Sequence, residues 1–347
     1  MNADVAVIPV PGMPEVRTGD DLARLVVASV GAAGWTLERG DIVVVSSKVV
    51  SKAAGLWADD RTGAVAASTR RVVAERATPG AVTRIVKSTA GPVMAAAGVD
   101  ASNTGGSHRV LVLPEDADAA AAALREAIAD AAGLPESGIA VVITDTAGRP
   151  WRVGQTDFAL GSSGIVVLDD FRGRTDADGR PLAVTLMALA DEVAAAADLV
   201  KGKDRGVPAA VVRGLAHLVG DEHGSGALEL VRSGPSDWFA LGHVEAVRAA
   251  LGVEPGSREA AAYGIRSTTE EAAAVRVTRA VAVALHGTDG EVGVDVGPGS
   301  VSIAAEDSFV AGWVTARLVA ALWAEDLTGE VARPAPGSAT VTIGEHT

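Results

Sequence analysis

The chain has 347 residues with 30 Lys+Arg against 44 Asp+Glu, a net charge of −14, and so lacks the positive footprint that general nucleic-acid binding requires. It has no cysteine, which excludes disulfides, thiolate metal sites and a cysteine nucleophile. Hydrophobic residues make up 48% but aromatics only 3%, so the core must be built from small aliphatics, and no window reaches the ~18 apolar residues of a membrane span. The first eleven residues show neither a basic start nor a cleavable apolar segment, so no secretory signal is expected and a cytoplasmic protein is. The charge is uneven: 22 Lys+Arg and 26 Asp+Glu up to Arg213, then 8 and 18, with no lysine after Lys203. The groups able to meet an anion are therefore concentrated in the first two thirds.

Residues 4–10 read as a strand that runs into Pro11, Gly12, Met13 and Pro14. Two prolines around a glycine make a stiff turn with exposed backbone, either a plain connection or a nucleotide cradle. Asp20 or Asp21 caps a helix over 22–30. Residues 42–45 are a continuous apolar run, the pattern of a strand buried on both faces. Beyond it come Ser46, Ser47, Lys48, Ser51 and Lys52. In α/β sheets ligands bind outside the carboxyl ends of strands, so this end is an anion site or simply a solvated end. A helix is expected over 62–77, with Arg70, Arg71 and Arg76 on a solvated face. Strands follow at 81–86, 92–97 and 110–113, the second leading into Gly98, Val99, Asp100, Ala101, Ser102 and Asn103. Asp116 or Asp118 caps an alanine-rich helix that runs to Ala132 and ends at Gly133.

A strand over 139–143 ends in Thr144, Asp145 and Thr146. The loop expected over 148–157 holds Arg149, Trp151, Arg152 and Gln155, a mixture suited to a ligand with carboxylates and a planar ring. Further on, a strand is expected over 165–168, a helix over 182–197, a basic loop over 198–206 and a strand over 207–212. His217 and His223 fit no metal spacing and read as surface residues. A helix over 236–251 precedes a linker at 253–256. Helices at 269–285 and 308–324 and strands at 291–296, 300–304 and 339–343 then form a small α+β unit. The expected division is 1–252 and 253–347.

Asp100 and Asp145 each follow an apolar run, and a carboxylate at the end of a buried strand is costly unless something positive meets it. Two of them suggest one shared cation. With Thr146 and Asn103 nearby, the donors are oxygens, which suit Mg²⁺ or Mn²⁺. Lys52 and the Ser47 hydroxyl are placed to bind the phosphates such a metal bridges. Neither a Walker pattern nor a kinase loop is present. On spacing alone, metal-dependent phosphate chemistry stands level with a structural Asp pair salt-bridged to arginines.

The stretches now described resemble the coenzyme F420-0:L-glutamate ligase family. The resemblance lies in residues 8–14, 45–52, 97–103, 143–146 with Gly148-Arg149, 154–159, and Ala190-Asp191-Glu192 through 211–215, all in the family's order. It covers about residues 4–248, and six stretches in order are far more specific than any one. It implies an α+β fold: a mixed-sheet ligase domain of the F420 gamma-glutamyl ligase type, here with a small C-terminal α+β domain. It implies an enzyme of F420 biosynthesis that adds L-glutamate to F420-0 and extends a γ-linked tail, with GTP consumed through an acyl phosphate and released as GDP and phosphate. Asp100, Asp145 and Thr146 would hold Mg²⁺ or Mn²⁺, with K⁺ as a further ion. Pro11, Gly12, Met13, Pro14, Ser47, Lys52 and Asn103 would bind GTP, and Asp100, Asp145 and Lys52 would serve catalysis. Arg149 and Arg152 are added as candidates for substrate carboxylates or phosphate, since arginine binds these in a bidentate way. The expected partners are F420-0, L-glutamate, GTP and a second copy of the chain, with neither nucleic acid nor membrane.

Three departures from the family accompany these matches. Ala54 precedes Gly55 where the family has an acidic residue, and Lys203 stands where some relatives have a third acidic metal ligand. Longer fused relatives carry an FMN-dependent reductase domain; the tail here lacks its arginine-rich opening, and flavin reduction is not expected. Two other readings remain: a metal-dependent phosphohydrolase or phosphotransferase on the same scaffold, and a non-catalytic F420- or GTP-binding protein.

Overall fold

The computed structural model describes residues 4–104 and 108–346; the first three residues of the stretch examined for a signal lie outside it. The chain forms two compact units, Met1–Arg70 with Lys87–Ser236, and Arg71–Val86 with Asp237–Thr347. The boundary expected at 252/253 thus falls inside the second unit, which also takes in a segment near residue 80 that the sequence assigned to the first.

The chain order up to Arg213 is β1 (Ala6–Pro9), α1 (Leu22–Ala32), β2 (Asp41–Ser46), α2 (Ser47–Ala53), β3 (Trp57–Ala58), α3 (Arg61–Ala67), β4 (Thr69–Thr78), β5 (Ala81–Ser88), β6 (Val93–Ala95) and β7 (Val110–Leu111). It continues with α4 (Ala117–Ala132), β8 (Ile139–Arg149), β9 (Arg152–Ser163), β10 (Leu168–Asp170), β11 (Leu186–Ala188), α5 (Leu189–Lys201) and β12 (Ala209–Arg213). Five strands form the central sheet in the order β1-β12-β2-β8-β9. Only β2 and β8 run parallel, so the sheet is mixed. The apolar run of β2 follows from its two-sided burial. Val43 and Val45 face α1 and α4 through Val26, Ala121 and Ile128, while Ile42 and Val44 face α5 through Val193, Ala194 and Ala197. Asp116 caps α4, its carboxylate accepting from Ala119 N–H at 2.8 Å. Asp118 is turned instead to the N–H groups of Ser162, Ala227 and Leu228.

Three sequence expectations give way here. The helix expected over 62–77 stops at Ala67, and β4 takes Arg70, Arg71 and Arg76. The β-branched residues Thr69, Val72, Val73 and Thr78 favour a strand, and Arg76 pairs with Glu245 at 2.6 Å in place of a solvated face. The loop expected over 148–157 is the paired end of the long β8–β9 hairpin, with irregularities at Ile143/Thr144 and Gly148/Arg149. The helix expected from 182 begins at Leu189, because Leu186–Ala188 pairs with β10.

The second unit holds α6 (His243–Ala250), α7 (Arg258–Tyr263), α8 (Ala273–Leu285), β13 (Val292–Gly297), β14 (Ser300–Ala305), α9 (Ser308–Trp323), β15 (Leu327–Ala332) and β16 (Ser338–Glu345). Its antiparallel sheet has the order β13-β14-β16-β15. Val277 and Val283 of α8 and Val314, Leu318 and Leu322 of α9 pack on Ile303 and Val341. β15 was not expected, since Gly329 and Glu330 interrupt its apolar pattern. Within this core Arg279 is bound by Glu271 and Glu325, and Glu325 also takes Arg248.

Candidate active site

The parallel pairing of β2 and β8 sets Ser46 beside Thr144, so both strands end at one edge. Ser46 then caps α2, accepting from Lys48 N–H, and the helix starts at once. Ser47 at its first position donates to Asp145 Oδ1 at 3.3 Å. Lys48 and Lys52, four residues apart, share one face of α2 and both line a cleft of about 910 Å³.

Asp100 reaches the same cleft by a tight bend. Ala96 and Ala97 sit at φ 49° and 55° and Gly98 at φ 73°. A side chain on Gly98 would stand 2.3 Å from Leu113 Cδ1, so a larger residue there would have to push that side chain aside. Left-handed alanines are uncommon and cost roughly 1–2 kcal/mol each, and strain of that kind gathers at functional sites. Asp100 then receives Lys48 Nζ at 2.7 Å and the Ser102 N–H at 2.6 Å. Burial works to raise its pKa, but these donors prevail and hold it below the usual carboxylate range.

Asp145 has the opposite balance. Burial pushes its pKa up to about 6, with repulsion from Asp157 and Asp100 adding to the rise against the Thr146 N–H and the Ser47 hydroxyl. Among the described residues no lysine or arginine meets it. Asp157 lies opposite Thr146 in the β8–β9 register. Burial opposes its ionisation, yet Lys201 at 2.7 Å, the Thr146 hydroxyl and Lys203 bring it down to about 2. Lys201 also donates to Thr144 Oγ1 at 2.7 Å. Lys203 Nζ reaches Thr146 Oγ1, Asp157 Oδ1 at 3.1 Å and Asp198 Oδ1 at 3.3 Å. On the other side Lys52, buried, meets Glu15 at 2.5 Å.

Of the residues singled out from the sequence, Met13, Pro14, Lys52, Asp100, Asn103, Asp145 and Thr146 line the cleft. Ser47 lies behind Asp145, bonded to it. Pro11 and Gly12 precede the lining segment of that loop. Arg149 and Arg152 face each other at the exposed end of the hairpin, outside the lining. Sequence reasoning gave no role to Glu15, Asp157, Asp198 or Lys201. Asp157 falls within one of the matching stretches without a role of its own, and its place follows from strand register. Lys201 ends an apolar helix, where nothing in the sequence separates a buried lysine from a solvated one.

The donors in the cleft are carboxylate, hydroxyl and amide oxygens, the set preferred by a hard divalent ion. Asp145, in a cleft wall with no basic partner, is the position where such an ion answers an uncompensated charge. Among the described residues no three acidic or histidine side chains are grouped as metal ligands. An ion at Asp145 and Asp100 would therefore draw its other ligands from water and a bound phosphate, as Mg²⁺ commonly does.

The sequence profile of a family described as F420-0:Gamma-glutamyl ligase matches residues 12–214, ending before the main segment of the second unit begins. A protein of Natronomonas pharaonis named coenzyme F420:L-glutamate ligase is 36% identical over 263 residues, covering 67% of this chain and 97% of that one. One of Haloarcula marismortui with the same name is 38% identical over 261 residues, covering 67% and 97%. A third, of Halobacterium salinarum, is 39% identical over 239 residues, covering 62% and 88%. No helix among the described residues is long and apolar enough to cross a membrane.

Proposed function

The chain belongs to the F420-0:gamma-glutamyl ligase family, and from that premise we propose that it is a GTP-dependent ligase joining L-glutamate to F420-0 and then extending a γ-linked tail. The observation that supports this most is one cleft holding both Asp145, a carboxylate without a counter-charge among the described residues, and lysines that reach into the same space. The first suits a divalent ion, Mg²⁺ or Mn²⁺, and the second suits phosphate.

In the first half-reaction a carboxylate oxygen of F420-0 attacks the γ-phosphorus of GTP. The bond to the bridging oxygen breaks and GDP departs. Charge on the transferring group must be neutralised as this happens. Lys52 supplies one positive charge once phosphate displaces Glu15 from it, and Lys48 at Asp100 lies one helical turn away. A divalent ion held by Asp145 and Asp100 would act as a Lewis acid on the same phosphate oxygens. In the second half-reaction the glutamate amine attacks the acyl carbon, the carbon–oxygen bond to phosphate breaks, and the amine proton passes to the released phosphate. Met13, Pro14 and Asn103, which line the cleft, would bind GTP together with Pro11, Gly12 and Ser47, which lie outside the lining. Arg149 and Arg152, beyond the lining, are assigned to substrate carboxylates that extend out of the cleft. A homodimer and a K⁺ requirement complete the reading.

Incubation with GTP, Mn²⁺, glutamate and F420-0 tests it by mass spectrometry. A ladder of products heavier by whole glutamyl units is expected. No ladder, while an archaeal ligase makes one in parallel, rejects the proposal; GTP consumption indifferent to glutamate would mark a phosphohydrolase instead.

A further inference from the structure

We infer that the ammonium of Lys203 occupies a built-in cation position in the cleft, so that each chain takes one divalent ion, at Asp145, and has no second metal position beside Thr146. The inference rests on the reading that this cleft takes a divalent ion at all, and goes beyond it in fixing how many and where.

Among the described residues five carboxylates line the cleft, and four of them lie within ion-pair distance of a lysine: Glu15 with Lys52 at 2.5 Å, Asp100 with Lys48 at 2.7 Å, Asp157 with Lys201 at 2.7 Å and Lys203 at 3.1 Å, and Asp198 with Lys203 at 3.3 Å. Asp145 is the fifth, with only a hydroxyl donor at 3.3 Å among described side chains. Asp145 is therefore the carboxylate of this set at which an added cation would stand.

The neighbouring oxygens are already committed. Thr146 Oγ1 donates to Asp157 Oδ1 at 2.5 Å and accepts from Lys203. An ammonium has three donors, and Lys203 directs them at three oxygens, those of Thr146, Asp157 and Asp198. That tripod of two carboxylates and a hydroxyl is the kind of oxygen set a hard metal would take, and the ammonium is at its centre. A divalent ion arriving there would displace Lys203 and still face the ammonium of Lys201 on the other oxygen of Asp157. The same neighbours separate Thr146 from the metal set, leaving Asp145 and Asp100.

Titration of the nucleotide-free full chain with Mn²⁺, with free ion read by electron paramagnetic resonance, tests the count without any turnover. The wild type is expected to bind one Mn²⁺ per chain, Asp145→Asn none, and Lys203→Glu two, because that variant swaps the ammonium for a third carboxylate. Two ions in the wild type, none in the wild type, or one in a folded Lys203→Glu chain overturns the inference. If Lys203→Glu does not fold, the wild-type count decides alone. Failure of the ligase reading is separate: no glutamyl ladder with one bound ion rejects the reaction and leaves the count, while a ladder with two bound ions does the reverse.

Discussion

Asp145 concentrates the chemistry of the cleft, because it is the carboxylate that burial and two like charges leave uncompensated. Asp145→Asn keeps its shape and its contact with Ser47 but removes the charge, so glutamyl transfer should fall by at least about 100-fold with the melting temperature nearly unchanged. Activity within a few-fold of wild type would take Asp145 out of the mechanism. Lys52→Met should act differently. Its buried ammonium is held by Glu15, on the proposed reading a phosphate takes that place, and a charge-assisted contact is worth about 1.5–3 kcal/mol. The KM for GTP should therefore rise by roughly ten- to a hundredfold, read from initial rates at varied GTP. At this scale the sequence pointed to the cleft lining where a carboxylate closes an apolar stretch, as at Asp100 and Asp145. It was silent where a partner is delivered by register, as Asp157 is to Thr146, or by a helix end, as Lys201 is. Those contacts join residues distant in sequence, and no local pattern encodes them.

The central strands were legible because both their faces are buried, which writes a continuous apolar run into residues 42–45 and 139–143. The elements misread were those where local preference and tertiary pairing compete. Residues 69–78 carry alanines and arginines at spacings a helix tolerates, and pairing as a strand decided the matter. The close fit of α4 on β9 gives a test of element packing. A methyl group on Gly161 would stand 2.2 Å from the Ala117 carbonyl oxygen, which is backbone and cannot swing away. Gly161→Ala should cost roughly 1–3 kcal/mol and lower the melting temperature by several degrees. An unchanged melt would show that α4 shifts freely. In the second unit, α8 is tied to the chain before it by Arg279 and Glu271 at 2.8 Å. Hydrogen bonds from Arg279 hold the Glu271 carboxyl at about 2, below its ordinary 4.5. A depressed acid stabilises the fold fully above its unfolded value and loses that contribution as pH falls through the folded one. Thermal melts should therefore show stability lost between pH of about 4.5 and about 2, and Glu271→Gln should flatten that part of the profile while lowering stability at pH 7. A variant with the wild-type acid slope would exclude Glu271 as its source.

At the scale of the molecule, the sequence separated a lysine-bearing portion from an acidic tail that has no lysine, and the structure keeps two units while drawing the line elsewhere. A charge count taken over a hundred residues or more locates a boundary only coarsely. It is blind to an early hairpin that folds with a late segment. The consequence is measurable in truncations. Residues 71–86 belong with residues 237–347: Val73 C=O accepts from Gly242 N–H at 2.8 Å, Glu75 accepts from Gly256 N–H at 2.9 Å, and Glu245 is bound by Arg76 and by the Glu75 N–H. Cutting after Gly252 keeps α6 but removes Gly256, the sheet of the second unit and Glu325, the carboxylate partner of Arg248 in α6. Cutting after Ser236 leaves the whole hairpin with its buried Val73 and Glu75 bare. Both truncations should be poorly soluble and melt well below the full chain, since buried polar groups that lose their partners cost about 1–3 kcal/mol each. A chain ending at Ser236 with residues 71–86 replaced by a short glycine-serine link should recover solubility and a cooperative melt. Size-exclusion chromatography and calorimetry on the three forms decide it. If the simple cut at 252 is monodisperse and melts like the full chain, residues 71–86 stand without their partners and the two-segment unit is wrong.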